Sequence, residues 1–293
     1  SDHVTILRSG KSVEFLKTTE TTEKELAALM VGYEIDMTLE RKKVEKGETI
    51  LSLQNVRLLP QAEKTVDLEI RAGEILGIAG VEGNGQQQLE EMIMGLEKVK
   101  CGKIFFKQEE ITGMSVKERC KRGIGYIPSD RYKRAILPGF SLKDNYLLGN
   151  QYKDSYARKG MLNQEYIEKK TKELMEKFDV RAVNGDQLIG ALSGGNQQKL
   201  VLSREVDKDP DLILACQPVR GLDIGAIKFI HNVLLELRNQ GKAVLLISAE
   251  LSDLFQLSDR IGVLYKGEMM SLQETEKYTT ESISLLMAGK KGV

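Results

Sequence analysis

The stretch Leu192-Ser-Gly-Gly-Asn-Gln-Gln-Lys199 decides the fold class of this chain, because it sets a serine and two glycines just before an apolar helical run. A hydroxyl and two unhindered backbone N–H groups at a helix start form an anion-binding site, since the helix dipole and the orphan amides both favour negative charge. A helix N-cap would need the serine alone. The glycines and the amide run therefore indicate that this stretch, the signature segment, contacts a ligand.

A second anion-binding pattern, Gly80-Val-Glu-Gly83-Asn84-Gly85-Gln86-Gln87-Gln88, follows a predicted strand and opens a predicted helix. Its first and last glycines have the spacing of the phosphate loop G-x-x-x-x-G-K-[ST], in which amides hold phosphates, lysine reaches the β- and γ-oxygens and the hydroxyl holds Mg²⁺. Gln86 replaces the lysine and Gln87 replaces the hydroxyl. Hydrogen bonds to a charged group are worth about 1.5–3 kcal/mol against about 1 kcal/mol for neutral ones, so we expect weakened triphosphate binding.

Other interpretations of this glycine loop (residues 80–85) stay open on its own sequence. Taken alone, its sequence is equally compatible with a phosphate loop and with a tight strand-to-helix turn that binds nothing. A dinucleotide-binding turn would need the order G-x-G-x-x-G, which is absent. The predicted strand before the loop is Glu74–Ile78. After residue 210 predicted strands and helices alternate, which indicates a parallel sheet flanked by helices. The predicted elements there are, in order, Leu212–Leu214, Ala226–Arg238, Ala243–Ser248, Leu251–Leu257 and Ile261–Leu264. The signature segment downstream favours the phosphate loop.

Residues 192–199 resemble the signature motif of ATP-binding-cassette (ABC) ATPases, and residues 211–223 resemble the Walker B strand and D-loop of that family. The resemblance implies an α/β P-loop NTPase fold of ABC type, with a mostly parallel sheet, flanking helices, an antiparallel β subdomain and an inserted helical subdomain at about 140–192. It also implies that the signature acts across a pair of domains, on the γ-phosphate of ATP held by the partner. The residues implied to act there are Ser193, Gly194, Gly195, Asn196, Gln197 and Asp223.

Neutral residues stand where the family has catalytic charges. By this resemblance, Cys216 and Gln217 take the places of an Mg²⁺-holding aspartate and a water-polarising glutamate. Loss of a general base costs about 10²–10⁴-fold in rate, and a neutral thiol is a poor ligand for Mg²⁺. We therefore predict no metal site here and a degenerate nucleotide site, in which a serine and an alanine stand for the family's Q-loop glutamine and switch histidine. The residues assigned to it are Gly80, Gly83, Asn84, Gly85, Gln86, Gln87, Gln88, Ser129, Cys216, Gln217 and Ala249.

The two ends of the chain repeat each other. Residues 1–10 align with residues 258–267, and residues 29–32 align with residues 286–289 at the same offset. An offset held from strand to helix predicts a tandem repeat. We expect residues 1–34 to be the last strand and helix of a preceding ABC domain, residues 35–48 to be a linker, and residues 49–293 to be a second ABC domain. The alternative is that the first segment merely extends this domain.

Composition limits the classes of partner. Lys and Arg number 43, as do Asp and Glu, so the formal charge of zero gives no reason to expect a nucleic acid partner. Three cysteines without C-x-x-C spacing read as reduced thiols. The longest apolar runs are strand-sized and the start resembles no signal peptide. These features predict a soluble, cytosolic protein.

The motifs together look like the C-terminal half of fused ATPase subunits of bacterial simple-sugar importers, and Cys216-Gln217-Pro218 is closest to the branch associated with nucleoside uptake. That resemblance implies ATP and Mg²⁺ in a site shared with the upstream domain, two membrane permease subunits, an extracellular substrate-binding lipoprotein, and a peripheral position at the cytoplasmic face of the membrane. The isolated chain would be a weak or inactive ATPase. Two alternatives remain: a soluble tandem ABC protein acting on ribosomes or nucleic acid, and a non-catalytic regulatory scaffold.

Overall fold

The computed structural model describes residues 1–8, 10–22, 25–26, 28–29, 39 and 41–290. The strands are β1 His3–Arg8, β2 Lys11–Lys17, β3 Thr49–Val56, β4 Val66–Arg71, β5 Ile75–Ala79, β6 Lys103–Phe106, β7 Glu109–Glu110, β8 Ile124–Ile127, β9 Ala157–Arg158, β10 Met161–Leu162, β11 Leu212–Cys216, β12 Ala243–Ile247, β13 Arg260–Tyr265 and β14 Glu268–Glu274. The helices are α1 Gln86–Met94, α2 Val116–Lys121, α3 Arg131–Arg134, α4 Leu142–Leu147, α5 Gln164–Lys177, α6 Gly194–Val206, α7 Ile224–Asn239, α8 Leu251–Leu257 and α9 Thr280–Met287. The predicted boundary at residue 34, the first part of the predicted linker and residues 30–32 of the repeat lie outside the described residues.

A six-stranded sheet with the order β14-β13-β5-β12-β11-β8 forms the centre of the fold. Neighbouring strands run parallel except β13 and β14, which pair antiparallel. The three strands β5, β12 and β11 are buried at every residue. Parallel strands covered on both faces read as continuous apolar runs, which is why these segments show no alternation in the sequence.

Two hydrophobic cores lie on opposite faces of this sheet. Successive strand residues point to opposite faces, so Ile213 belongs to one core and Leu212 to the other. The first core contains Leu202 of α6, and the second contains Leu89 of α1 and Leu51 of the antiparallel sheet β4-β3-β6-β7. The mostly parallel sheet, its flanking helices and the antiparallel β subdomain confirm the predicted fold class.

Between β8 and α6 the chain forms helices α4 and α5, and it also forms a short hairpin. The sequence predicts a helical, charged segment up to Lys177, and the structure differs from that prediction at residues 157–162. There Lys159 (φ 51°) and Gly160 (φ 79°) are both left-handed and reverse the chain between β9 and β10. Two consecutive left-handed residues form the tight turn that joins hairpin strands, so a helix cannot continue through them.

The two ends of the chain fold into hairpins of the same design. One sequence offset carries the pair His3↔Lys17 of β1–β2 onto Arg260↔Glu274 of β13–β14, and it carries the bulge after Ile6 onto the bulge after Val263. A 3-10 turn follows each hairpin at the same offset. The sequence repeat is thus also a repeat of register and irregularity.

The two hairpins differ in what covers them. β13 pairs with β5 inside the large sheet, whereas among the described residues β1 pairs with β2 alone. Leu7 and Phe15 of the first hairpin are 68% and 64% exposed, while Leu264, the equivalent of Leu7, is buried. With respect to the described residues, the first hairpin therefore presents an apolar face and an unpaired strand edge.

Candidate functional site

The loops that follow β5, β8, β11 and β12 meet at the carboxyl edge of the large sheet. In open sheets of this kind ligands bind at that edge. The structure therefore brings together the glycine loop, Ser129 after β8, Cys216 and Gln217 at the end of β11, and Ala249 after β12.

The glycine loop turns sharply into α1 and is tied to a neighbouring turn. Gly83 (φ 90°) and Gly85 (φ 109°) are left-handed, a conformation that glycine adopts without steric cost. The Asn84 carbonyl accepts a hydrogen bond from the Gly267 N–H at 2.9 Å, and its side-chain oxygen accepts one from the Lys266 N–H at 3.0 Å. The loop is thus fixed to the turn between β13 and β14.

The glutamines of this loop contact their own chain. The Gln86 amide lies directly over Gly80, where a Cβ would clash with it, and its Oε1 atom is buried without a hydrogen-bond partner among the described residues. Gln87 donates to Glu91 at 2.8 Å, and Glu91 pairs with Arg134. Burial raises the pKa of Glu91, but the hydrogen bonds from Gln87 and Arg134 outweigh it and hold the pKa below its ordinary value.

A buried carboxylate that the sequence did not reveal lies beside Cys216. Glu90 is 3% exposed and accepts hydrogen bonds from the Tyr126 hydroxyl and from the Ser129 N–H, the latter at 3.3 Å. Burial and the nearby carboxylate raise the pKa of the Cys216 thiol well above its ordinary value. The one available signal was the position of Glu90, three and four residues before the apolar Ile93 and Met94 of α1.

Gln217 is bonded to the loop that follows β12. Its backbone is left-handed (φ 48°), and its side-chain oxygen accepts a hydrogen bond from the Ala249 N–H at 3.3 Å. The positions of the expected base and the expected switch residue are therefore joined to each other. Behind them, Ser248 donates to Asp253 at 3.0 Å, and Nε2 of the buried His231 lies 3.3 Å from the same carboxylate, a polar cluster that the sequence also did not indicate.

These groups do not suit Mg²⁺. A hard divalent cation needs oxygen ligands that include carboxylates, whereas Gln86, Gln87 and Gln217 are neutral amides and the Cys216 thiol is held protonated. The carboxyl group of Glu90 is buried, and one of its oxygens already accepts from Tyr126 and Ser129. Within the described ranges no three His, Cys, Asp or Glu side chains come close enough to share a metal ion.

The signature segment is built differently, because its start reaches the surface. Ser193 is exposed and caps α6, accepting from the Asn196 N–H at 3.4 Å and from the Asn196 amide at 3.1 Å. Asn196 in turn accepts from the Arg181 N–H at 2.9 Å, and the buried Gln197 donates to the carbonyls of Ile189 and Leu192. Asn196 and Gln197 therefore shape the turn, while Ser193 and the adjacent glycine face outward.

Asp223 lies beside the second glycine of the signature segment. It caps α7 by accepting from the Ala226 N–H at 2.9 Å, and a Cβ on Gly195 would be 3.1 Å from its Oδ2 atom and 2.9 Å from the Ala226 Cβ. Only glycine fits there without displacing α7. Among the described residues no hydrogen bond or ion pair joins the signature segment to the glycine loop.

None of the helices in the described ranges is both long enough and apolar enough to cross a bilayer.

Known proteins with similar sequences include members of one transporter family. Residues 63–220 match the family model described as ABC transporter. The chain is similar to the guanosine import ATP-binding protein NupO of Bacillus subtilis, 40% identical over 98% of this chain and 57% of the relative. It is also similar to the glucose import ATP-binding protein TsgD13 of Haloferax volcanii, 38% identical over 98% of this chain and 54% of the relative. The chain therefore spans little more than half the length of these relatives.

A solved structure supports the fold. A nucleotide-free ATP-binding cassette from an ABC transporter superimposes with a TM-score of 0.65 at 21% identity, covering 82% of this chain and 96% of the cassette.

Proposed function

Because this chain belongs to the ABC transporter family, we propose that it is the C-terminal nucleotide-binding domain of a fused ATP-binding subunit of a bacterial importer for nucleosides or simple sugars. In this proposal the chain supplies its signature segment to ATP held by a preceding domain, and its own glycine loop is degenerate. The observation behind it is the contrast between an outward-facing Ser193 and glutamines turned onto their own chain.

The proposed preceding domain rests on the terminal hairpins. β1–β2 repeats the register and bulge of β13–β14, but its free edge and its exposed Leu7 and Phe15 have no cover among the described residues. In the second copy, β5 covers that edge. A preceding domain with its own β5-like strand would complete the first hairpin in the same way. The relatives' greater length is consistent with such a domain.

In this arrangement the Ser193 hydroxyl and the backbone amides at the start of α6 donate to the terminal phosphate of ATP. The positive end of the helix dipole attracts the phosphate, and this attraction is strongest when the two domains close on each other. Mg²⁺ would be held by the preceding domain, since the neutral groups of this chain do not suit it. Closure would then drive two membrane permease subunits, docked beside residues 129–134, while an extracellular lipoprotein delivers the cargo.

The test is an ATPase assay of this chain alone beside the longer protein that carries the preceding segment. We expect turnover from the longer protein and little or none from this chain. Nucleotide binding by this chain should be weak and independent of Mg²⁺. Strong Mg²⁺-dependent turnover by this chain alone would contradict the proposal.

Two further outcomes would favour the other interpretations. Co-purification of the longer protein with RNA rather than with integral membrane subunits would indicate a cassette that acts on nucleic acid. Transport that survives replacement of Gly194 by valine would indicate a regulatory scaffold, because a side chain at that position blocks the approach of a phosphate.

A further inference from the structure

Arg131 lies against the signature segment, although it is far from it in sequence. It is the first residue of α3, after the N-cap Asp130. Its Nε donates to the Gln197 side-chain oxygen at 3.1 Å, and its Nη2 atom is 2.8 Å from the place where a Cβ on Gly194 would be. The guanidinium therefore lies over Gly194, at the outward-facing start of α6.

The positive charge of Arg131 has no ion-pair partner within 4 Å in the part of the chain that the structure describes. Its neighbour Arg134 differs, because it pairs with the Glu91 carboxylate. The Lys199 ammonium at the other end of the signature segment is also neutralised, by Asp179 at 2.7 Å. Arg131 thus brings to the start of α6, where Ser193 is exposed, a guanidinium that lacks an ion-pair partner among the described residues, although the Tyr132 ring lies 5.4 Å from it.

Arg131 supplies positive charge at the start of α6. Ser193 and the backbone amides are neutral donors, and the helix dipole contributes only about half an elementary charge. On the other side of Gly195 the Asp223 carboxylate adds a negative charge. A guanidinium would offset that negative charge, and its planar fork matches phosphate oxygens with two parallel hydrogen bonds.

We propose that Arg131 is a phosphate-binding residue of the shared nucleotide site, whose Nη groups donate to the terminal phosphate that Ser193 also contacts. This inference rests on the function proposed above, in which that phosphate belongs to ATP on the preceding domain. The Nε bond to Gln197 fixes the direction of the guanidinium, so the charge is in place before the nucleotide arrives. It also makes binding selective for the triphosphate, because the diphosphate lacks the group that Arg131 reaches.

The experiment compares Arg131→Gln, Arg131→Lys and Arg158→Gln in the longer protein. Arg158 is exposed on β9, away from the residues assigned to either site, and its replacement loses the same charge, so it is the matched control. Arg131→Gln should raise the KM for ATP by about tenfold or more, since a charge-assisted hydrogen bond is lost, and it should leave the affinity for ADP unchanged. Arg131→Lys should recover part of the preference for ATP, and Arg158→Gln should change the affinity for neither nucleotide.

Equal effects of Arg131→Gln on ATP and ADP, a fall in kcat with an unchanged KM, or no effect at all would overturn the inference in favour of a purely structural contact with Gln197. Ser193→Arg separates this failure from failure of the proposed function. If Ser193→Arg stops turnover while Arg131→Gln is silent, only the role of Arg131 is wrong. If both variants leave turnover intact, the signature segment does not contact the nucleotide.

Discussion

The start of α6 and the start of α1 are both glycine-rich turns that lead into a helix. They differ in whether their polar side chains are exposed or contact the chain itself. At α6 the Ser193 hydroxyl and Gly194 reach the surface. At α1 the Gln86 amide lies on Gly80, and Gln87 bonds to Glu91. Both turns keep the backbone form of an anion site, and they differ in whether the polar side chains beside the glycines are exposed or turned onto the chain.

The difference lies in the side chains beside the glycines. Gln86 is neutral at the position where a phosphate loop carries lysine, and its amide lies on Gly80. A buried acidic side chain, Glu90, follows in the same helix and faces Cys216 and Tyr126. In the proposed function these features disfavour a triphosphate on this loop, because hydrogen bonds to a charged group contribute about 1.5–3 kcal/mol and neutral ones about 1 kcal/mol.

The largest expected effect is at the signature segment. Ser193→Arg should abolish measurable ATP turnover by the longer protein, because the side chain fills the approach to the amides of α6. Ser115→Arg is the matched control, since Ser115 is also an exposed helix N-cap. Both variants lose a cap worth about 1 kcal/mol of stability, but only the first should lose activity. Equal activity of the two variants in an ATPase assay would mean that the start of α6 does not contact the nucleotide.

A large loss of stability is expected at Cys216. Cys216→Asp would place a second carboxylate beside the buried Glu90, and an uncompensated buried charge costs about 3–5 kcal/mol. The loss should shrink in a Glu90→Gln background and at acid pH, where one of the two carboxylates binds a proton. Urea unfolding of the four combinations measures this coupling. Additive losses would mean that the two side chains do not interact.

Alkaline pH should weaken the fold through the same cluster. Burial raises the pKa of Cys216 and of Tyr126 above their ordinary values. The unfolded thiol ionises near pH 8.5 while the folded thiol keeps its proton, so its contribution is complete below that pH and is lost as pH rises, by about 1.4 kcal/mol per pH unit. Cys216→Val should flatten the fall in unfolding free energy between pH 9 and pH 10. Cys101→Val, at an exposed thiol, should leave the fall unchanged.

The smallest effect is expected at Gln217. Gln217→Glu restores the residue type of a general base, yet it should raise ATP turnover by this chain less than about threefold. The side chain is engaged by the Ala249 N–H, and no Mg²⁺-binding carboxylate stands at Cys216 to position an attacking water. A gain approaching the 10²-fold typical of a general base would show that the loop at α1 is not degenerate.

Much of the fold can be predicted because its signals are local. The sequence predicts the helix Leu251–Leu257 with the observed bounds, and it predicts β5, β11 and β12 within one or two residues, because periodicity and apolar runs depend on near neighbours. It does not predict the hairpin β9–β10, since the turn depends on two left-handed residues, Lys159 and Gly160, within a charged and otherwise helical segment.

The sequence by itself determined the fold class and the neutral side chains at positions 86, 216 and 217, because each of these depends on which residue stands at which spacing. Only the tertiary structure decided where the glutamine amides point and that Glu90 lies beside Cys216. It alone brought Arg131 onto Gly194. These contacts join residues from separate loops at the edge of one sheet, and no local pattern encodes the distance between side chains that the fold alone brings together.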